Sequence, residues 1–145
     1  MEIKTYQHKV QYYETDCMGI VHHSNYIRWF EEARTDFLEQ LGIGYDKMEQ
    51  MGILSPVVSV GCEYKTMAKF GETVIIEAKI KEYNGVSLVL DYVVSDKLTG
   101  EVRAVGTSKH CFISSADGAV IVMKRKYPEI SKSLKACIED KGTDR

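Results

Sequence analysis

The stretch "DCMGIVHHSNY", residues 16 to 26, sets a carboxylate, a glycine and two adjacent histidines just before an amphipathic run with helical spacing. A helix start exposes backbone N–H groups that lack an intrahelical partner, and it carries a partial positive charge. Polar groups gathered there can act together on a substrate that develops negative charge. Asp16 precedes the run, and Gly19 lets the intervening loop turn tightly. His23 lies close enough to the helix start for its backbone N–H to point out of the helix end. The same residues have a plainer reading, in which Asp16 caps a turn and the histidines satisfy loop carbonyls. Position alone does not choose between them.

Other chemistries fit less well. Adjacent His22 and His23 do not share a helix face as an i, i+4 zinc pair does, and no third ligand stands at a telling spacing, so no metal is expected. Cys17 adjoins a carboxylate, which disfavours the reactive thiolate. No G-x-S-x-G elbow occurs, which argues against an α/β-hydrolase. Glu31, Glu32 and Glu39 read as solvated helix residues, and Glu63 on a strand has a face that could look toward a partner.

The elements that must position these groups follow from periodicity. Residues 5 to 13 put Tyr6, His8, Val10 and Tyr12 on one side of an extended segment, which predicts a first strand. From Tyr26 to Leu41 the period changes. Ile27, Phe30, Ala33, Phe37, Leu38 and Leu41 form a helical stripe, with Ser24 or Asn25 as the cap and Gly42 as the stop. A short helical piece, "YDKMEQM", ends at Gly52. After Pro56, Val58, Val60, Cys62 and Tyr64 alternate with Ser59, Glu63 and Lys65 in a long strand.

"TVIIEAKIKEYNGVSLVLDYVV" reads as a hairpin whose Asn84-Gly85 pair suits a type I′ turn. "KLTG" and "SADG" mark further turns bounding strands at Val102 to Ile113 and Ala119 to Met123. Pro128 opens a closing helix with Ile130, Leu134, Cys137 and Ile138 on its apolar stripe, and "KGTDR" reads as a frayed tail. The expectation is a single α+β domain over residues 1–145, with antiparallel strands curled around one long helix whose apolar surface Tyr26 and Trp29 broaden. Edge strands and an uncovered sheet face predict pairing of two copies.

Composition bounds the partners. The chain has 145 residues, 44% of them hydrophobic, and a net charge of -2, so no overall basic field exists to gather nucleic acid or an anionic membrane. The first residues lack a signal-peptide core and no apolar run is long enough to span a bilayer, which predicts a cytoplasmic protein. Cys17, Cys62, Cys111 and Cys137 are scattered with no C-x-x-C pair, as suits reduced, buried or partly buried thiols.

"YYETDCMGIVHHSNYIRWFEEAR" resembles the signature of acyl-CoA thioesterases of the 4-hydroxybenzoyl-CoA thioesterase type. Asp16, Gly19, Val21, His23 and Tyr26 carry the likeness, followed by "WFEEAR" on the helix; "AKFGETVIIEAKI" and "NGVSLVLDY" extend it across most of the chain. The resemblance implies the hotdog fold, a long central helix wrapped by a curved antiparallel β-sheet, in homodimers or homotetramers. It implies hydrolysis of an acyl-CoA thioester without a cofactor or metal. Asp16 would act as nucleophile or general base, and the His23 backbone N–H would form the oxyanion site, its side chain supporting. Gly19, His22 and Tyr26 would meet substrate; the position of His22 is commonly aromatic in the family, so its imidazole would line the acyl pocket or lie at the surface.

A thiol leaving group with a pKa of roughly 8.5 lessens the need for a dedicated general acid. Coenzyme A phosphates call for a local cationic patch, for which Lys65, Lys69, Lys79, Lys81 and the run Lys124, Arg125, Lys126 are available. The founding enzyme's basic cluster is replaced here by "YNGVS", so neither its phosphate contacts nor its 4-hydroxybenzoyl substrate carries over. Two other functions remain open to the fold. A hotdog dehydratase or hydratase would show an H-F-P-G type loop, which this chain lacks. A non-catalytic acyl-CoA-binding module would not require Asp16. The acyl group, and coenzyme A against an acyl-carrier protein as its carrier, stay open.

Overall fold

Alternating β-branched residues and one strong helical stripe divide the chain into strands and helices as side-chain period dictates. A computed structural model describes residues 2–143, with side chains through residue 138. In chain order the elements are β1 (Tyr6–Lys9), a 3-10 turn (Tyr12–Glu14), α1 (Ser24–Gln40), α2 (Tyr45–Gln50), β2 (Ile53–Leu54), β3 (Val57–Tyr64), β4 (Thr73–Tyr83), β5 (Ser87–Asp96), β6 (Val102–Cys111), β7 (Ile113–Ser114), α3 (Met123–Lys126) and α4 (Pro128–Thr143). The main sheet is antiparallel with order β1-β4-β5-β6-β3, and β2 pairs separately with β7. This is the expected α+β class. No helix among the described residues is long and apolar enough to cross a membrane.

The core lies between α1 and one face of the sheet. Along β5, Leu88, Leu90, Tyr92 and Val94 are buried at every second position. Across the sheet, Tyr92 pairs with Ala78 on one side and Gly106 on the other, and Gly106 pairs with Cys62. Phe30 of α1 stacks on Tyr92 with ring centroids 4.5 Å apart. The missing side chain of Gly106 makes the room, since a Cβ there would stand 2.4 Å from Phe30 Cε2. Tyr26, Trp29, Phe30, Ala33, Phe37 and Leu38 are all buried, so the predicted stripe and its broadening by Tyr26 and Trp29 hold.

Several expectations give way to local chemistry. The first strand stops at Lys9, because the chain turns into the 3-10 segment; Val10 is buried as expected, but Tyr12 is exposed. The α1 N-cap is His23 instead of Ser24 or Asn25. Ser24 Oγ lies 2.9 Å from His22 Nδ1, and Asn25 Nδ2 donates to the Glu14 carbonyl at 2.8 Å, so both side chains are engaged elsewhere. At the β4–β5 hairpin only Gly85 takes a positive φ, +90°, which excludes a type I′ turn. Asn84 Oδ1 accepts the N–H groups of Val86 and Ser87 at 2.9 and 2.7 Å, making a longer, side-chain-capped loop.

The predicted strand at Ala119 to Met123 reduces to one bridge, Val120 to Ile113, and Met123 already opens α3. α4 runs through Thr143, so most of the expected tail is helical; its last two positions, 144 and 145, lie outside the described residues. Cys17 is exposed, whereas Cys62 and Cys111 are half-buried.

Arg34, on the buried side of α1, has no sequence signal. Its Nε donates to Tyr45 Oη at 2.7 Å and its Nη1 to Tyr92 Oη at 3.1 Å. Tyr92 Oη lies 2.6 Å from Ser108 Oγ, which lies 2.7 Å from His110 Nε2. Burial, and then the charge of Arg34, push His110 down to about 4.

Candidate active site

Between the 3-10 turn and α1 the chain folds back on itself. Thr15 bridges Val21 in antiparallel fashion, and the Asp16 N–H donates to the Ile20 carbonyl at 2.8 Å. Gly19, at φ +78°, closes the loop by donating its N–H to the Asp16 carbonyl at 3.0 Å. Asp16 therefore begins one limb, and the other limb runs through His22 to His23 at the helix mouth. Two contacts fix the loop to the chain ahead of β4, an Ile20 to Lys69 bridge and a Val21 N–H bond to the Ala68 carbonyl at 2.9 Å. The sequence-predicted Asp16, Gly19, His22 and His23 thus share one short loop.

Asp16 is half-buried, and its Oδ1 accepts the Met18 N–H at 2.8 Å. The turn-capping role is real, yet it occupies one carboxylate oxygen; Oδ2 has no hydrogen-bond partner among the described residues. At the helix mouth, the His22 N–H donates to the Glu14 carbonyl at 2.8 Å, and the Ser24 N–H meets His22 Nδ1 at 3.2 Å. The His23 N–H has no acceptor among the described residues, as the orphan donors of a helix start require. The His23 carbonyl accepts the Tyr64 hydroxyl from β3 at 3.1 Å.

The two imidazoles are exposed and stacked on each other, centroids 4.2 Å apart, with neither hydrogen-bonded to Asp16. Tyr26, in the first turn of α1, is 3% exposed and meets Tyr64 edge-on at 5.3 Å and Trp29 at 4.8 Å. Its burial raises the hydroxyl above the ordinary phenol range. Around the loop, Tyr12, Tyr13, Met18, Met67 and Phe70 present apolar surface to solvent, with Tyr12 and Phe70 in an edge contact at 5.6 Å.

Two contributors carry no clear signal in the sequence. Tyr64 reads only as a strand residue, and Glu14 only as one acid among many, although its spacing from Gln11 follows the reciprocal pattern of a helical cap. Glu14 is 3% exposed; burial raises its carboxyl, but the Gln11 N–H, His8 and the Trp29 N–H outweigh that and hold it below the ordinary carboxylate range. Glu32 is not merely solvated, since it accepts the Tyr6 hydroxyl at 2.7 Å. Of the basic residues, Lys79 is paired with Glu77 at 3.5 Å, while Lys124, Arg125 and Lys126 stand exposed together on α3 beside the β4–β5 loop.

Residues 10–138 match the model of the thioesterase-like superfamily. The Bacillus subtilis (strain 168) protein named "Putative acyl-CoA thioesterase YneP" is 36% identical over 129 residues, covering 89% of this chain and 93% of that one. A DHNA-CoA thioesterase from Staphylococcus aureus superposes with a TM-score of 0.91 at 28% identity, over 97% of this chain and 94% of its own. The BH1999 gentisyl-coenzyme A thioesterase gives a TM-score of 0.74 at 30% identity, covering 81% of this chain and 94% of that one.

Proposed function

This chain belongs to the thioesterase-like superfamily, and we propose that it hydrolyses acyl-CoA thioesters to the free acid and CoA at the Asp16–His23 loop. The observation that carries the reading is the antiparallel pairing of Thr15 with Val21, which sets the Asp16 limb beside a helix mouth whose His23 N–H has no acceptor among the described residues. Relatives named for DHNA-CoA and gentisyl-coenzyme A thioesterase activity support it. The same reading gives the chain the hotdog arrangement, with the sheet curled around α1, in a single cytoplasmic domain over residues 1–145.

In this reading Asp16 Oδ2 supplies the reactive electron pair. As nucleophile it attacks the thioester carbonyl, expels the CoA thiolate and leaves an anhydride that water then cleaves. As general base it takes a proton from a water whose oxygen attacks the same carbon; the tetrahedral intermediate then expels the CoA thiolate, and the proton passes from Asp16 to the products. Either route puts negative charge on the carbonyl oxygen, and the His23 N–H, already aligned by the helix, receives it without reorganisation. Neither imidazole transfers a proton in this scheme. Gly19 keeps the loop backbone open to the acyl group, His22 flanks the mouth, and Tyr26 forms its wall.

The unpaired edge of β3, with Val57, Val58 and Val60 exposed, supports a homodimer or homotetramer. The test of the activity is thiol release from a panel of aromatic and aliphatic acyl-CoAs. Asp16→Asn is expected to lower turnover by about 100-fold or more at unchanged melting temperature. Turnover equal to the parent protein's would overturn the proposal, and tight acyl-CoA binding without release by the parent would mark a binding module instead.

A further inference from the structure

We propose, resting on the Asp16 reading above, that Glu14 is a positioning residue for the reaction: it locks the Asp16 limb and the opening of α1 to a single buried point. A buried carboxylate is costly unless every lone pair is used. Here Oε1 accepts the Gln11 N–H at 2.8 Å and faces His8 Nε2 at 2.8 Å, while Oε2 accepts the Trp29 indole N–H at 2.8 Å. The side chain so ties the end of β1 to the interior of α1. Trp29 itself is fully buried, so this anchor cannot slide.

The main chain of the same residue does the second half. The Glu14 carbonyl accepts the His22 N–H at 2.8 Å and Asn25 Nδ2 at 2.8 Å. His22 directly precedes His23, and Asn25 lies in the first turn of α1. Asp16 stands two residues beyond Glu14 on the other limb. The carboxylate of Asp16 has only the Met18 N–H of its own loop to hold it among the described residues. The separation between that carboxylate and the His23 N–H is thus set by the frame, and both sides of the frame meet at Glu14. Charge-assisted bonds from fixed N–H groups give that point direction as well as strength. A displacement of about 1 Å at a reacting group costs on the order of 100-fold in rate, so such an anchor acts on turnover while scarcely touching the contacts that bind coenzyme A.

The experiment compares kcat and KM for thiol release by the full-length protein and its Glu14→Ala, Glu14→Gln, Trp29→Phe and Asp16→Asn variants, each normalised to the folded fraction by circular dichroism. Glu14→Ala is expected to lower kcat by about tenfold or more with KM within about threefold. Glu14→Gln keeps one acceptor oxygen and the side-chain length, and returns kcat to a value between Glu14→Ala and the parent. Trp29→Phe keeps the ring but removes the N–H, and lowers kcat by about threefold or more. Unchanged kcat per folded molecule in Glu14→Ala overturns the inference, as does a loss carried by KM alone. Should Glu14→Ala fail to fold, Glu14→Gln and Trp29→Phe decide: a fall in kcat at near-constant KM supports the anchor, and parent-like kcat in both overturns it. If Asp16→Asn turns over like the parent, the underlying activity reading is what fails.

Discussion

His110 shows how a single residue couples this core to pH. It is fully buried, and its Nδ1 lacks a hydrogen-bond partner among the described residues, so the folded protein favours the neutral ring. Burial first, and then Arg34, push its pKa from 6.5 down to about 4. The unfolded chain takes up a proton near 6.5, whereas the folded one resists until about 4. Stability contributed by the neutral ring is therefore complete above 6.5 and is lost as pH falls toward 4, by up to about 3 kcal/mol. Denaturant midpoints measured across that window should fall in the parent and flatten in His110→Gln, even if the variant is less stable throughout. An equal slope in both would remove His110 from the acid response. Residues of this kind escape sequence reading because their roles depend on distant partners: Arg34 meets Tyr92 across the core, and Tyr64 reaches His23 from another element. That Asp16, Gly19 and His23 share one loop was legible because they are neighbours in the chain, ahead of a conspicuous helical stripe.

At the scale of elements, periodicity located α1, the β4–β5 pair and α4 because each repeats its apolar positions over many residues. The connections were less legible. Asn84 satisfies two N–H groups with its side chain, and Met123 donates to the Gly85 carbonyl at 2.8 Å, two choices that no local pattern announces. The packing of α1 on the sheet also turns on a residue without a side chain. A methyl group at position 106 would crowd Phe30 and stand 2.7 Å from the Gly61 carbonyl oxygen, which is backbone and cannot swing aside. Gly106→Ala is expected to destabilise the fold by about 1–3 kcal/mol, seen as a lowered melting temperature. A melt matching the parent's would mean that α1 can lift from β6 at little cost.

For the whole molecule, β3 is the longer of the two edge strands that the main sheet leaves unfinished. Its partner β6 covers one edge, and the other edge offers N–H and C=O groups with no strand partner among the described residues, beside exposed Val57, Val58 and Val60. The proposed pairing of two chains would cover that margin. Val58→Lys adds a charge that repels its own copy and is expected to yield a monomer by light scattering at micromolar concentration, where the parent is expected to be a dimer or larger. A monomeric parent would leave the apolar edge without its proposed cover. Sequence reading reached the need for a cover, since one helix cannot shield both faces of such a sheet, but alternation on a strand exposed along nearly its whole length could not tell core from contact.

Tyr64 sits on that same margin while its hydroxyl grips the carbonyl at the N-cap of α1. If a second chain steadies β3, it also steadies the N–H donor proposed to meet the developing oxyanion. Specific activity should then decline on dilution before any helix is lost, so that the working unit is defined by encounter between subunits as much as by the folding of either one.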